Sequence, residues 1–211
     1  MLPNSSQEPG NGWWHRPANG PDFLYYYYSF GGAVIDPDGS DKLVFDTAVA
    51  QSVYELLYDA TQTRNIMDPN VLSGDWDYWK ETTSTFDKVM FVSSGTWRWA
   101  NWAVTYLGDK GGEDYLFENV GFAPIPANAD GINKPITLTH PLVYMVSSQA
   151  EHPDLALLLI SKATTKELNT DYAVASGHLG VLNSQADYPP YNAAKFLSAT
   201  LPLLEYTTFL P

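Results

Sequence analysis

The side chains in this chain that could carry chemistry are its rings and its acids. The four histidines, His15, His140, His152 and His178, show neither HxxxH nor HExxH spacing, so they form no local metal motif. The chain has no cysteine, which removes disulfides, thiolate catalysis and cysteine-based zinc sites. No GxSxG elbow, GxxxxGK[ST] loop or GxGxxG turn occurs. DPDGSD at 36–41 opens like a calcium loop, but the twelfth position from Asp36 is Thr47, where an EF-hand needs a bidentate Glu. A solvated hairpin turn and a cation site are the two readings of that stretch. Asp75 and Asp77 are residue types that serve glycoside hydrolysis, yet nothing in the sequence brings them together on a substrate.

The rings are grouped. Trp13-Trp14 stand beside His15 and Arg16; Phe23, Tyr25–Tyr28 and Phe30 form a second group; Trp76, Tyr78 and Trp79 a third; Trp97, Trp99 and Trp102 a fourth. Sugars present apolar C–H faces edged by hydroxyls. A Trp or Tyr face covers the first, while Asp, Asn, Arg and backbone groups bond the second. Rings beside Asp, Gly and Asn on loops are what a carbohydrate site needs. The competing reading is core packing. On a helix Trp99 and Trp102, three apart, share a face, whereas Trp97, just after Gly95, points elsewhere. Four consecutive tyrosines cannot all be buried on one face, so about two should pack inward.

The elements that would hold these rings alternate. Residues 1–21 read as loop, and Asp22–Phe30 as one helix or one strand ending at Gly31-Gly32. Ala33–Ile35 and Lys42–Phe45 flank the hairpin loop. Asp46 caps a helix to about Arg64 with Val49, Val53, Leu56, Leu57 and Ala60 at helical spacing. Residues 65–80 are rich in turn formers. Val89–Val92 is a strand, 96–107 a helix, 108–114 a loop, and Val120–Phe122, Ile136–Leu138 and Leu142–Val146 are strands. Pro153 starts a helix, Thr164 and Glu167 make a capping box, Gly177 ends that next helix, 178–182 is extended, and Tyr191–Leu201 is the last helix before Pro202. Alternating strands and helices imply an α/β or α+β architecture.

Composition sets the limits. The chain has 211 residues, 45% apolar, 14% aromatic and only 17% charged, enough to bury a core. Its formal net charge of −13 repels phosphate backbones and anionic membrane surfaces, so no nucleic-acid partner is expected. The longest aliphatic run, Leu155–Ile160, is far short of a membrane span. MLPNSSQEPGNGWWHRP has neither a basic n-region nor an apolar h-region and does not read as a signal peptide; it reads like the middle of a longer protein with a start Met attached.

In this order, six segments carry a resemblance: GPDFLYYYYSFGG, DKLVFDTAVAQSVYELLYDA, FDKVMFVSSGTWRW, VGFAPIP, PLVYMVSSQAEHPDLALLLISKATTKE and ASGHLGVL. From about residue 12 to 185 the chain resembles the C-terminal part of bacterial ABC-transporter extracellular solute-binding proteins of the sugar-binding, maltose-binding-protein-like group. Asp87-Lys88 stand where that group has a Gly, and the first-lobe region is missing. The resemblance implies an α/β fold of the type II periplasmic-binding-protein kind, mostly the C-terminal lobe of two. Residues 1–135 would form its α/β region, 136–180 the segment returning to the N-terminal lobe, and 181–211 a helical region. It implies a binding protein rather than an enzyme, without cofactor or metal, holding a sugar or oligosaccharide in an inter-lobe cleft. It also implies an extracytoplasmic location and an ABC permease as membrane partner. The alternative function is a carbohydrate-active enzyme or lectin-like module. Trp97 matches the stacking aromatic of the Gly-x-Trp motif; Phe23 or Tyr25 matches a second more loosely. Arg16 and Asp22 are hydroxyl partners by type and proximity, and the roles of Trp76 and Trp79 stay open. An incomplete lobe would expose apolar surface and unpaired edges, so self-association of the chain is also expected.

Overall fold

A computed structural model describes residues 13–14, 20–70, 89–126, 135–139 and 142–209. They fall into two compact units, and each is built around its own rings. Unit 1 comprises residues 1–94, 123–139 and 205–211; unit 2 comprises 95–122 and 140–204.

Unit 1 begins with β1, Trp13–Trp14, inside the stretch expected to be loop. β1 pairs in parallel with β2, Phe91–Val92 (Trp13 opposite Phe91, Trp14 opposite Val92). A second parallel pair joins β3, Thr137–Thr139, to β4, Thr207–Phe209, with the Thr137 and Thr207 hydroxyls 3.1 Å apart. Parallel partners so distant in sequence require long crossovers, as in α/β folds.

The tyrosine run forms helix α1, Gly20–Ser29. Its double-glycine end is a Schellman motif: Gly31 has φ 90°, Gly32 N donates to Tyr27 O (2.9 Å) and Gly31 N to Tyr28 O (3.0 Å). Gly32 is needed for space, because a Cβ there would stand 2.7 Å from Tyr27 Cδ1. Tyr26 and Tyr27 are buried, while Tyr25 and Tyr28 are half-buried. This matches the expected two inward rings. The Tyr27 hydroxyl donates to Ala33 O (3.3 Å) and accepts from Asp46 N (2.6 Å), tying the helix end to the start of α2.

Helix α2, Thr47–Tyr58, is capped by Asp46, whose carboxylate accepts from Ala48 N (2.8 Å) and Val49 N (3.1 Å). A π-helical turn, Asp59–Thr63, then carries the chain to Arg64. Ala50, Val53, Leu57 and Ala60 bury against Tyr26, Tyr27, Met67 and Val89. Between α1 and α2 the expected hairpin is present as a single antiparallel bridge, Ile35 to Leu43. Its DPDGSD loop folds on itself, Asp36 accepting from Asp38 N and Ser40 Oγ. Those two hydrogen bonds hold the Asp36 carboxyl below its usual pKa.

Unit 2 holds α3, Trp97–Asn101, running on through a π-helical turn, Trp102–Tyr106. Next comes a 3-10 turn, Gly108–Lys110, then α4, Glu113–Asn119. α4 starts inside the expected 108–114 loop, and Val120–Phe122, expected as a strand, follows it as extended chain with no strand pairing among the described residues. Leu116 is its fully buried anchor. α5, Pro153–Ala163, and α6, Lys166–Ser176, follow the expected positions. The α6 cap is Thr165, not Thr164, because the Thr164 hydroxyl already donates back to Ile160 O (2.8 Å) and closes α5. Gly177 ends α6 at φ 70°. The last expected helix is two, α7 (Pro189–Ala193) and α8 (Lys195–Thr200), parted by extended Ala194.

Candidate functional site

The WRWANW segment builds the best-defined candidate site. Thr96 stands at the N-cap of α3, and Arg98 N to Gly95 O (3.1 Å) and Trp99 N to Thr96 O (3.0 Å) close its first turn. Trp97 lies in that turn and is half-buried. Its indole folds back over Gly95, so closely that a Cβ at 95 would meet Trp97 Cδ1 at 2.7 Å and crowd Nε1 further. Gly95 is therefore required for room, not for a left-handed backbone.

Trp99 and Trp102 take the opposite role, as their spacing implies; both are buried. Trp99 stacks on Phe196 (5.0 Å between centroids) and tilts against Phe117 (4.8 Å) and Phe122 (4.9 Å), and its Nε1 donates to Glu113 Oε1 (3.1 Å). Arg98 is wholly out of solvent. Its guanidinium lies 5.2 Å from the Trp102 ring and 5.3 Å from the Tyr106 ring, and Nη1 donates to Asn101 Oδ1 at 2.6 Å. Burial pulls its pKa down, opposed by the Tyr106 hydroxyl. Arg98 thus braces the helix from inside. Sequence reasoning passed over it, although an arginine between two tryptophans, eight residues before a tyrosine, was a visible signal.

In unit 1 the predicted residues Asp22, Phe23 and Tyr25 share the first turns of α1, all half-buried. Phe23 stacks on Tyr27 (5.8 Å) and packs on Tyr54 (5.2 Å). Burial raises the Tyr25 phenol pKa, and the Asp22 charge adds to it. Arg16, Trp76 and Trp79 lie outside the described residues, as do Asp75 and Asp77. Among the described residues no group of three or more His, Asp or Glu could hold a metal ion, and no helix is long and apolar enough to cross a membrane.

No protein-family model and no curated protein sequence matches the chain. Solved structures do. The maltose-bound MalE3 of T. maritima matches with a TM-score of 0.68 at 20% identity, over 96% of this chain and 50% of that one. The GacH receptor of Streptomyces glaucescens GLA.O, solved unliganded and with acarbose, matches with a TM-score of 0.71 at 15% identity, over 96% and 49%. The MalE domain of Bdellovibrio bacteriovorus bound to maltotriose matches with a TM-score of 0.69 at 18% identity, over 99% and 51%. These neighbours are sugar-binding proteins. The chain spans about half the length of the structures it matches, and over that half it has the mixed helix-and-strand fold of maltose-binding-protein-type solute-binding proteins.

Proposed function

We propose that the chain is part of the sugar-binding component of an ABC importer. It captures a sugar or oligosaccharide outside the cytoplasm and hands it to a membrane permease, with no covalent chemistry. The observation that carries this reading is the half-buried Trp97 indole laid over Gly95 on a fold shared with sugar-bound proteins. A ring held in that way offers an apolar face for sugar C–H groups. Phe23 or Tyr25 supplies a second ring, Asp22 and Arg16 bond hydroxyls, and Trp76 and Trp79 are further candidates. The ligand is enclosed by hinge closure with the other half of the fold. The exposed side chains of α5 and of residues 142–145 support the further reading that the chain by itself self-associates.

The test is titration of the chain with maltose, maltotriose and acarbose, followed by tryptophan fluorescence and calorimetry. Saturable binding that weakens in Trp97→Ala supports the reading. Binding indifferent to Trp97→Ala removes the site. Release of shorter sugars from maltotriose would favour a carbohydrate-active enzyme instead.

A further inference from the structure

We propose that Gly177, the residue that ends α6, is a positioning residue for Trp97; the inference rests on the reading of Trp97 as the sugar-stacking ring. Gly177 has φ 70° and ψ 13°, and its N–H donates to Ala173 O (3.0 Å). Helix termination alone asks only for a residue that tolerates the left-handed region. The surroundings of Gly177 ask for more. A Cβ there would stand 3.0 Å from the Thr96 carbonyl oxygen and 3.4 Å from both Cβ and N of Ala100. Two of these three atoms are backbone, and both residues bracket Trp97 in the first turns of α3.

Thr96 O cannot swing aside on its own, because it accepts the Trp99 N–H that closes the turn. A side chain at 177 must therefore push the start of α3 as a piece. The far side of that turn is fixed by Trp99 among Phe117, Phe122 and Phe196, and by Arg98 under Trp102 and Tyr106. The displacement then falls on the segment between these anchors and Gly95, which is Thr96 and Trp97. Two glycines frame the indole: Gly95 gives the ring its bed, and Gly177 lets the backbone that carries it sit close.

Gly39 provides the control. It has φ 77°, and a Cβ there would meet nothing within 4 Å, so Gly39→Ala reports left-handed strain alone. The experiment labels the whole chain with 5-fluorotryptophan, assigns the Trp97 fluorine resonance with Trp97→Phe, and compares Gly177→Ala, Gly177→Asn and Gly39→Ala. Asn accepts the left-handed backbone more readily than Ala and keeps the 177 variant folded should Ala fail. Both 177 variants are expected to move the Trp97 resonance while Gly39→Ala leaves it in place. Maltotriose binding should weaken about tenfold, the scale of one lost aromatic contact. An unmoved Trp97 resonance in a folded 177 variant, or an equal shift in Gly39→Ala, overturns the proposal. Should Trp97→Ala bind maltotriose as the parent does, the sugar reading falls, and the resonance still decides the role of Gly177.

Discussion

Trp97 and Trp99 are two residues apart on one short helix, yet Trp99 is buried and Trp97 only half-buried, and truncating each in turn tests the different parts proposed for them. Trp99 is only 3% exposed, packs against three phenylalanines at centroid distances of 4.8–5.0 Å, and gives its N–H to Glu113. Trp99→Ala leaves a large cavity where α3, α4 and α8 meet and removes the partner of a carboxylate. Truncations of that kind cost about 3–5 kcal/mol. At roughly 2–4 °C per kcal/mol, the melting temperature should fall by roughly 6–20 °C. Trp97 keeps part of its ring in solvent, so Trp97→Ala should cost no more than about half as much. Urea unfolding followed by circular dichroism measures both. The sugar titration should show the reverse order, with Trp97→Ala the more damaging once each protein is compared at a temperature where it is folded. A Trp99→Ala protein within about 1 kcal/mol of the parent, or a Trp97→Ala protein destabilised as much as Trp99→Ala, would refute the division of labour.

Tyr27→Phe removes the hydroxyl that accepts from Asp46 N and donates to Ala33 O; it should cost about 1–2 kcal/mol and speed hydrogen exchange at the Asp46 amide, and unchanged exchange there would contradict the bond. The Tyr25 phenol is raised in the fold, so the unfolded chain ionises first as pH climbs. Its contribution is complete below about pH 10 and is lost above it; stability measured from pH 8 to 11 should fall at the alkaline end, with a shallower fall in Tyr25→Phe. Met145 and Leu159, 85% and 71% exposed, should drive association, so light scattering should give a mass above the monomer that Met145→Glu with Leu159→Glu lowers. A monomeric parent would sink that reading.

Much of the fold was legible wherever one residue has one physical use. Asp46 before an amphipathic run is a cap, Gly31-Gly32 stops the ring-laden stretch, and Gly177 ends its helix. The errors lie where two uses compete. Thr164 and Thr165 are both good caps, and the choice falls to Thr165 because Thr164 spends its hydroxyl on the helix behind it. GDKGGED looks like pure turn, yet Glu113 and Asp114 are also the acidic first turn that favours a helix N-terminus. Leu142–Val146 has the composition of a buried strand, but Leu142, Val143, Tyr144 and Met145 are all exposed and form no ladder here. The apolar pattern is that of a segment made to be covered, and pattern alone does not say by what. α5 makes the same point: its Leu155, Leu157, Leu158 and Leu159 are all more than half exposed, although a helix apolar all round is normally a buried one.

The candidate site was legible in a different way. Helical spacing alone divided Trp99 and Trp102 from Trp97, because residues three apart share a face, while Trp97, two before the first and five before the second, does not lie on it. What spacing could not supply was the reason Trp97 stays put. That reason is in residues with no chemistry of their own. Gly95 makes room for the ring, Gly177 makes room for the turn beneath it, and a buried arginine clamps the next turn between two rings. A sequence read for reactive groups passes over glycines, since they offer neither charge nor ring. Stacking, however, keeps more of its energy when the ring is already held in place, because an indole free to rotate gives up entropy on binding. If Trp97 is the stacking ring proposed above, the two glycines that leave room around it matter to the site as much as the ring itself.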